Sequence, residues 1–239
     1  MEHVLTTEFW LALAEITGIN ILLSGDNAVV IALASRSLPP EQRRAAVVGG
    51  STGAIALRVV FCLIVLWLLS VPYLKLTGGL LLLYIGVRLM MPEDEGSNGI
   101  AAKSSLWPAM RTIIVADAVM SLDNAVAIAA AAKGSTVLIV AGLVISVPLI
   151  VFGSTLVLKV LLRFPLLVTA GAGLLGWIAG DIIAGDAAVA RWLQLDEQAI
   201  ELPAKLLGAM LVVALGALLA RRAARQPKDI VDLAPEDRQ

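Results

Sequence analysis

The chain has 239 residues, 59% of them hydrophobic and 15% charged, with a formal net charge of −1 and a mean hydropathy of +0.90. A soluble domain carries about 25% charged residues, so this composition points to an integral membrane protein in contact with the lipid bilayer. The near-neutral charge, without a basic stripe interleaved with aromatics, offers nothing to nucleic acid. A single cysteine, Cys62, rules out an internal disulfide and any Cys/His metal motif.

In chain order, the first residues, MEHVLTTEFW, lack a positive n-region and contain Glu2 and Glu8, unlike a cleaved signal peptide. Seven apolar runs follow, at about 9–35, 45–70, 73–91, 107–132, 136–158, 165–184 and 203–220. Each is near the roughly 20 residues that cross a bilayer as a helix. Their length and Leu/Ala content, without strict alternation, favour helices over a barrel. The expected fold class is therefore all-α and polytopic, with about seven transmembrane helices.

Lys and Arg set the orientation. Of the 18 in the chain, 13 fall in the first, third and fifth joints and the C-terminal tail, or beside them. Four, Lys75, Lys133, Arg191 and Lys205, fall on the opposite side, and Arg58 lies in the middle of the second run. This bias predicts an outer N-terminus and a cytoplasmic C-terminus in a cell membrane. The tail 221–239 reads as a cytoplasmic anchor followed by disorder.

Asp26-Asn27-Ala28-Val29 in the first run recurs as Asp123-Asn124-Ala125-Val126 in the fourth. The longer pattern is (Asn/Asp)-x3-Ser-x-Asp-Asn, formed by Asn20, Ser24, Asp26 and Asn27, then by Asp117, Ser121, Asp123 and Asn124. Three spans form one unit, so the second unit enters the membrane with the opposite orientation. This predicts an inverted repeat, with residues 1–91 as the first three-helix unit and 107–184 as the second. The helix at 203–220 stands outside it.

A mid-bilayer Asp costs about 2.5–3.5 kcal/mol on insertion scales. Two copies in register argue for use rather than for a structural hydrogen bond. Asn20, Ser24 and Asn27 share a helix face, and Asp26 lies outside it, about 100° round from Asn27. Gly25 loosens the first helix at this point, and Leu122 does so less readily in the second. The donors are carboxylates, amides and hydroxyls, which suit Mn²⁺, Ca²⁺ or Mg²⁺ rather than Zn²⁺. Inverted helices meeting at the midplane bring Asp26, Asp117 and Asp123 together, with Asn20, Asn27 and Asn124 as neutral ligands. Three close carboxylates without an ion would hold at least one proton, which gives a route to proton coupling.

Ser24 and Ser121 would support these ligands or join them. Glu15 reads equally as an outer ligand or as a side chain reaching water. Arg58 reads first as the neutraliser of one Asp and second as a substitute cation. Asp181 reads first as an interfacial acid and second as part of a pathway, and the acidic loop around Asp186 as a solvated face. An intramembrane aspartyl protease is an alternative for two aspartates. However, Leu23 stands where the Gly-x-Gly-Asp of such enzymes has its first Gly.

The segments SGDNAVVIALASRSLP (24–39) and ADAVMSLDNAVAIAAAAKG (116–134) resemble the paired signatures of the TerC family, in its YjbE-type branch. The resemblance extends over nearly all of residues 8–220. It implies a transporter-like protein linked to manganese export and not an enzyme, with Asp26, Asn27, Asp117, Asp123 and Asn124 at the metal site. The wider family often has an acid six residues before the first motif Asp, and this chain has Asn20 there. The expected function is export of a divalent metal, foremost Mn²⁺, with proton exchange open. Metal delivery to a partner without net transport is the second reading.

Overall fold

The computed structural model describes residues 7–91, 106–132, 134–164, 166–193 and 197–225. The tail beyond Arg225, expected to be disordered, lies outside these residues, as does the third joint. The described residues are helical and contain no strand. The helices are α1 (Thr7–Leu23), α2 (Gly25–Ser35), α3 (Pro40–Ser70), α4 (Leu74–Met90), α5 (Leu106–Ala131), α6 (Thr136–Arg163), α7 (Leu166–Ala184), α8 (Ala187–Leu193) and α9 (Glu197–Arg225).

All seven runs read from the sequence are helical. Among the described residues, α3, α6, α7 and α9 are each long and apolar enough to span a membrane. The bent pair α1–α2 and the bent helix α5 bring the number to as many as six. The remaining run, α4, has 17 residues, about 26 Å of helix, at the short end of what crosses the hydrocarbon.

Two bends position everything that follows. α1 and α2 meet at 51°, and α5 bends by 65° between Leu106–Leu122 and Asn124–Ala131. At the first bend Ser24 leaves helical geometry, with φ −108° and ψ 9°. Gly25 follows it, as its lack of a Cβ leads one to expect. The second bend differs from the sequence expectation, because no glycine is present and Leu122 adjoins it. Tertiary contacts therefore hold α5 bent where its own residues favour a straight helix.

The packing is balanced between the helices of residues 7–91 and those of 106–184. α3 packs on α5, and its counterpart α6 packs on α1–α2. α4 packs on α7, α3 on α6, and the two bent spans on each other. The lesser pair α4 and α5 is matched by α7 and α2. Exchanging the units leaves this set of pairs unchanged. One core joins Val30, Leu33, Leu82, Ala116, Leu158 and Leu175 around α2, α4, α5, α6 and α7. A second joins Leu13, Ile16, Cys62, Ile128 and Leu143 around α1, α3, α5 and α6. Outward residues such as Phe152, Leu166, Leu207 and Met210 are exposed and apolar, as a lipid-facing surface requires.

α9 lies against α7 and α4. Its approach to α7 is close enough that Gly176, Gly180 and Gly208 meet neighbouring backbone directly. A Cβ at Gly180 would collide with the Ala204 carbonyl, and one at Gly176 with the Gly208 carbonyl. Small residues that let helix backbones touch are the usual means of association in lipid. Gly180→Ala should therefore destabilise the protein by at least about 1–3 kcal/mol through overpacking. Gly153→Ala, where nothing lies within 4 Å of the added carbon, should leave it unaffected. Thermal unfolding of both variants in detergent checks this.

Candidate metal-transport site

The two bends touch. The break after Leu23 frees a backbone carbonyl, and a carbonyl inside a bilayer needs a donor. Leu23 O receives one from Asn124 Nδ2, at 3.2 Å, so the second motif closes the break in the first. The first motif caps itself in turn. Asp26 Oδ1 accepts the Asn27 backbone N–H at 2.9 Å, and its carboxylate sits in the first turn of α2. A negative group there complements the helix dipole.

Behind the breaks lies a buried polar network centred on Arg58 of α3, which is 1% exposed. Its Nε donates to Ser121 Oγ at 2.8 Å. Its Nη1 donates to Ser24 Oγ at 2.9 Å and to Asn20 Oδ1. Its Nη2 pairs with Asp117 Oδ1 at 2.5 Å. Asn20 and Asp117 are equivalent positions of the repeated pattern, as are Ser24 and Ser121. The guanidinium thus takes one oxygen from each member of both pairs. Asn20 Nδ2 also donates to Ser146 of α6, and Ser121 Oγ donates to the Asp117 backbone carbonyl at 2.5 Å.

Asn27 links this network to the breaks. Its Nδ2 donates to Asp117 Oδ1 at 2.7 Å. This fixes the amide, because the reverse flip would set oxygen against carboxylate. Asn27 Oδ1 is left buried without a hydrogen-bond partner. An orphaned acceptor of this kind calls for a specific explanation. It lies on the residue next to the half-buried Asp26.

The sequence-derived residues therefore fall into two groups. Asn20, Asp117, Ser24 and Ser121 surround Arg58. Asp26, Asn27 and Asn124 lie at the breaks. Asp123 is placed at the second bend by its backbone, and its side chain lies outside the described residues. Of the three carboxylates expected in one pocket, Asp117 is held by Arg58 and Asn27, so Arg58 neutralises one acid as its first reading has it. Among the described residues, no three acidic, His or Cys side chains form a metal-sized group. Oxygen donors suited to a hard cation among the described residues are the Asp26 carboxylate and the unpartnered Asn27 Oδ1.

The two weaker candidates stand apart. Asp181 pairs with Lys205 of α9 at 3.0 Å, with its side chain 50% exposed, as an interfacial acid would. Glu15 is exposed on α1. Asp186 differs from the solvated face expected of it. It is buried and accepts N–H groups from Leu76 at 3.0 Å and Ala188 at 2.8 Å, tying the starts of α4 and α8 together. Its position just before α8 was the available signal, since Asp is a favoured residue there. A cavity of about 250 Å³ runs from this corner, past Lys75 and Arg191, to Leu122 beside the second bend.

A helical bundle with two touching broken spans and a polar centre is the architecture of a multi-pass membrane protein. The comparisons agree. The integral membrane protein TerC family matches residues 5–228, and the chain belongs to that family. It is 44% identical over 186 residues to the uncharacterised membrane protein YjbE of Bacillus subtilis strain 168, covering 78% of this chain and 83% of that one. It is 27% identical over 197 residues to YkoY of the same strain, covering 74% of this chain and 61% of that one. The UPF0053 protein YegH of Escherichia coli K12 is 28% identical over 145 residues, which are 53% of this chain and 28% of YegH. No solved structure matches.

The Leu23–Asn124 bond gives a direct test of the paired bends. Asn124→Leu leaves the Leu23 carbonyl without its donor, at a cost of about 1–3 kcal/mol. A fall in the unfolding temperature in detergent, larger than that for an outward substitution such as Val126→Leu, is the expected result.

Proposed function

We propose that this protein is a secondary transporter rather than an enzyme, and that it exports a divalent metal ion, foremost Mn²⁺, from the cytoplasm. The observation that carries the reading is the orphaned Asn27 Oδ1 beside Asp26, at a helix break in contact with a second Asp-Asn break. A divalent cation accepts electron pairs from such oxygens, and none of the donors is soft. Broken helices at a repeat interface are a recurrent way for transporters to bind ions. The unit-exchange balance of the packing supports an inverted repeat, with α9 as an addition. The Lys and Arg bias supports an outer N-terminus and a cytoplasmic C-terminus in the plasma membrane.

In this reading Asp26 and Asp123 supply charge, and Asn27 and Asn124 supply neutral oxygen or hold the broken backbone. Asp117 is the reserve carboxylate, and Asn20 is its uncharged counterpart. Ranking Mn²⁺ over Ca²⁺ and Mg²⁺ rests on the family, because hard oxygens serve all three. Proton exchange is the counter-reaction that close carboxylates make available.

Purified protein in vesicles, with Mn²⁺, Ca²⁺ and Mg²⁺ compared across an imposed pH gradient, tests the proposal. Mn²⁺ flux that rises with the gradient is expected. Asp26→Asn and Asp123→Asn should each abolish it while the protein inserts normally. Wild-type manganese tolerance in cells carrying either variant would sink the assignment.

A further inference from the structure

Arg58 is more than the neutraliser of one acid. A guanidinium inside a bilayer is expensive, and a single carboxylate would suffice to balance its charge. Instead it meets four acceptors, drawn from both units: Asn20, Ser24, Asp117 and Ser121. These are hard-oxygen groups of the kind that bind the proposed cargo. The path from the breaks to Asp117 is a single amide. Asn27 bonds Asp117 through Nδ2 and presents its other atom, Oδ1, without a partner. Among the described residues, the carboxylate that Asn27 bonds is that of Asp117, and Arg58 already holds it.

We infer that Arg58 is a tethered competitor, a built-in cation that contends with the transported metal for Asp117 and so limits how tightly the metal is held. The inference rests on the transport reading above and assigns a specific role within that site. With Asp26, Asp117 and Arg58 all charged, this part of the site carries a net single negative charge. Removing Arg58 makes it double. The metal then gains a second carboxylate and a stronger field, and it leaves more slowly. A transporter needs binding weak enough for release, so stronger binding should lower turnover.

A purely structural arginine predicts the opposite. Loss of a buried partner leaves Asp117 unpaired and the site disordered, and affinity falls. The two roles therefore separate by sign. An opposite charge at close range moves a carboxylate's hold on a proton by about one to three logarithmic units. A similar change is expected for another cation.

The experiment measures equilibrium Mn²⁺ binding to purified wild type, Arg58→Gln, Arg58→Lys and the double variant Arg58→Gln/Asp117→Asn, together with flux in vesicles. Arg58→Gln should bind Mn²⁺ at least about tenfold more tightly and transport it more slowly. The double variant restores the single negative charge and should return to near wild-type affinity. Arg58→Lys keeps the charge, and thus the fold where Gln does not, but one ammonium cannot serve four acceptors. Its affinity should rise by a smaller factor. Wild type that binds Mn²⁺, with neither single variant binding more tightly, overturns the competitor role and leaves the transport reading standing. Wild type that binds no divalent cation overturns both.

Discussion

A guanidinium buried among four groups from the two bent spans is the interaction on which the centre of this protein depends. Arg58 reaches from α3 to Asn20 at the end of α1, to Ser24 at its break, and to Asp117 and Ser121 on α5. All of these groups are buried, so each requires a partner there. One planar cation with five donors satisfies them together, which a point charge such as lysine could not do. The same contacts hold the two bent spans side by side and set where their breaks fall. The bend in α5, which has no glycine to favour it, follows from this tertiary constraint.

The breaks then become mutually dependent. A broken helix releases carbonyls at one end and N–H groups at the other. α1 ends at Leu23 and hands its carbonyl to Asn124 of the other unit. α2 begins beside Asp26, whose carboxylate takes the Asn27 N–H. Each Asn of the repeated motif therefore reaches across to the opposite span, Asn124 to a carbonyl and Asn27 to the Asp117 carboxylate. The asymmetry is chemical as well as geometric. Position 20 carries an amide where position 117 carries an acid, and the single central arginine answers the single extra charge.

Much of this was legible in the chain. Apolar runs gave the helices, because backbone satisfaction in lipid leaves few alternatives. The repeated Asp-Asn marked the two places of interest, because acids in mid-membrane mark sites, and Gly25 signalled the first of the two bends. Other features were hidden for physical reasons. Arg58 lies in a run far from both motifs, so its four-way contact is a product of packing rather than of local pattern. The α5 bend lacks its usual residue signal. Asp186 looked like one acid in a wet loop, whereas it ties two helix starts across 110 residues of sequence.

The division of polar residues into a held group and a free group bears on how such a site can work. Asp117 is engaged from two sides, while Asn27 Oδ1 beside Asp26 is unengaged. A pocket in which every acid was free would bind a divalent ion deeply and release it slowly. A pocket in which every acid was paired would not attract one. Placing one carboxylate under an internal cation, and linking it by one amide to an open oxygen, keeps attraction and release within reach of each other. The bent spans are the natural moving parts, because α1 and α2 join through the single non-helical residue Ser24 and α5 bends by 65° within its length. In the proposed transport reading, small rotations there would change which oxygens face the ion without unpacking the cores built on α3, α4, α6 and α7.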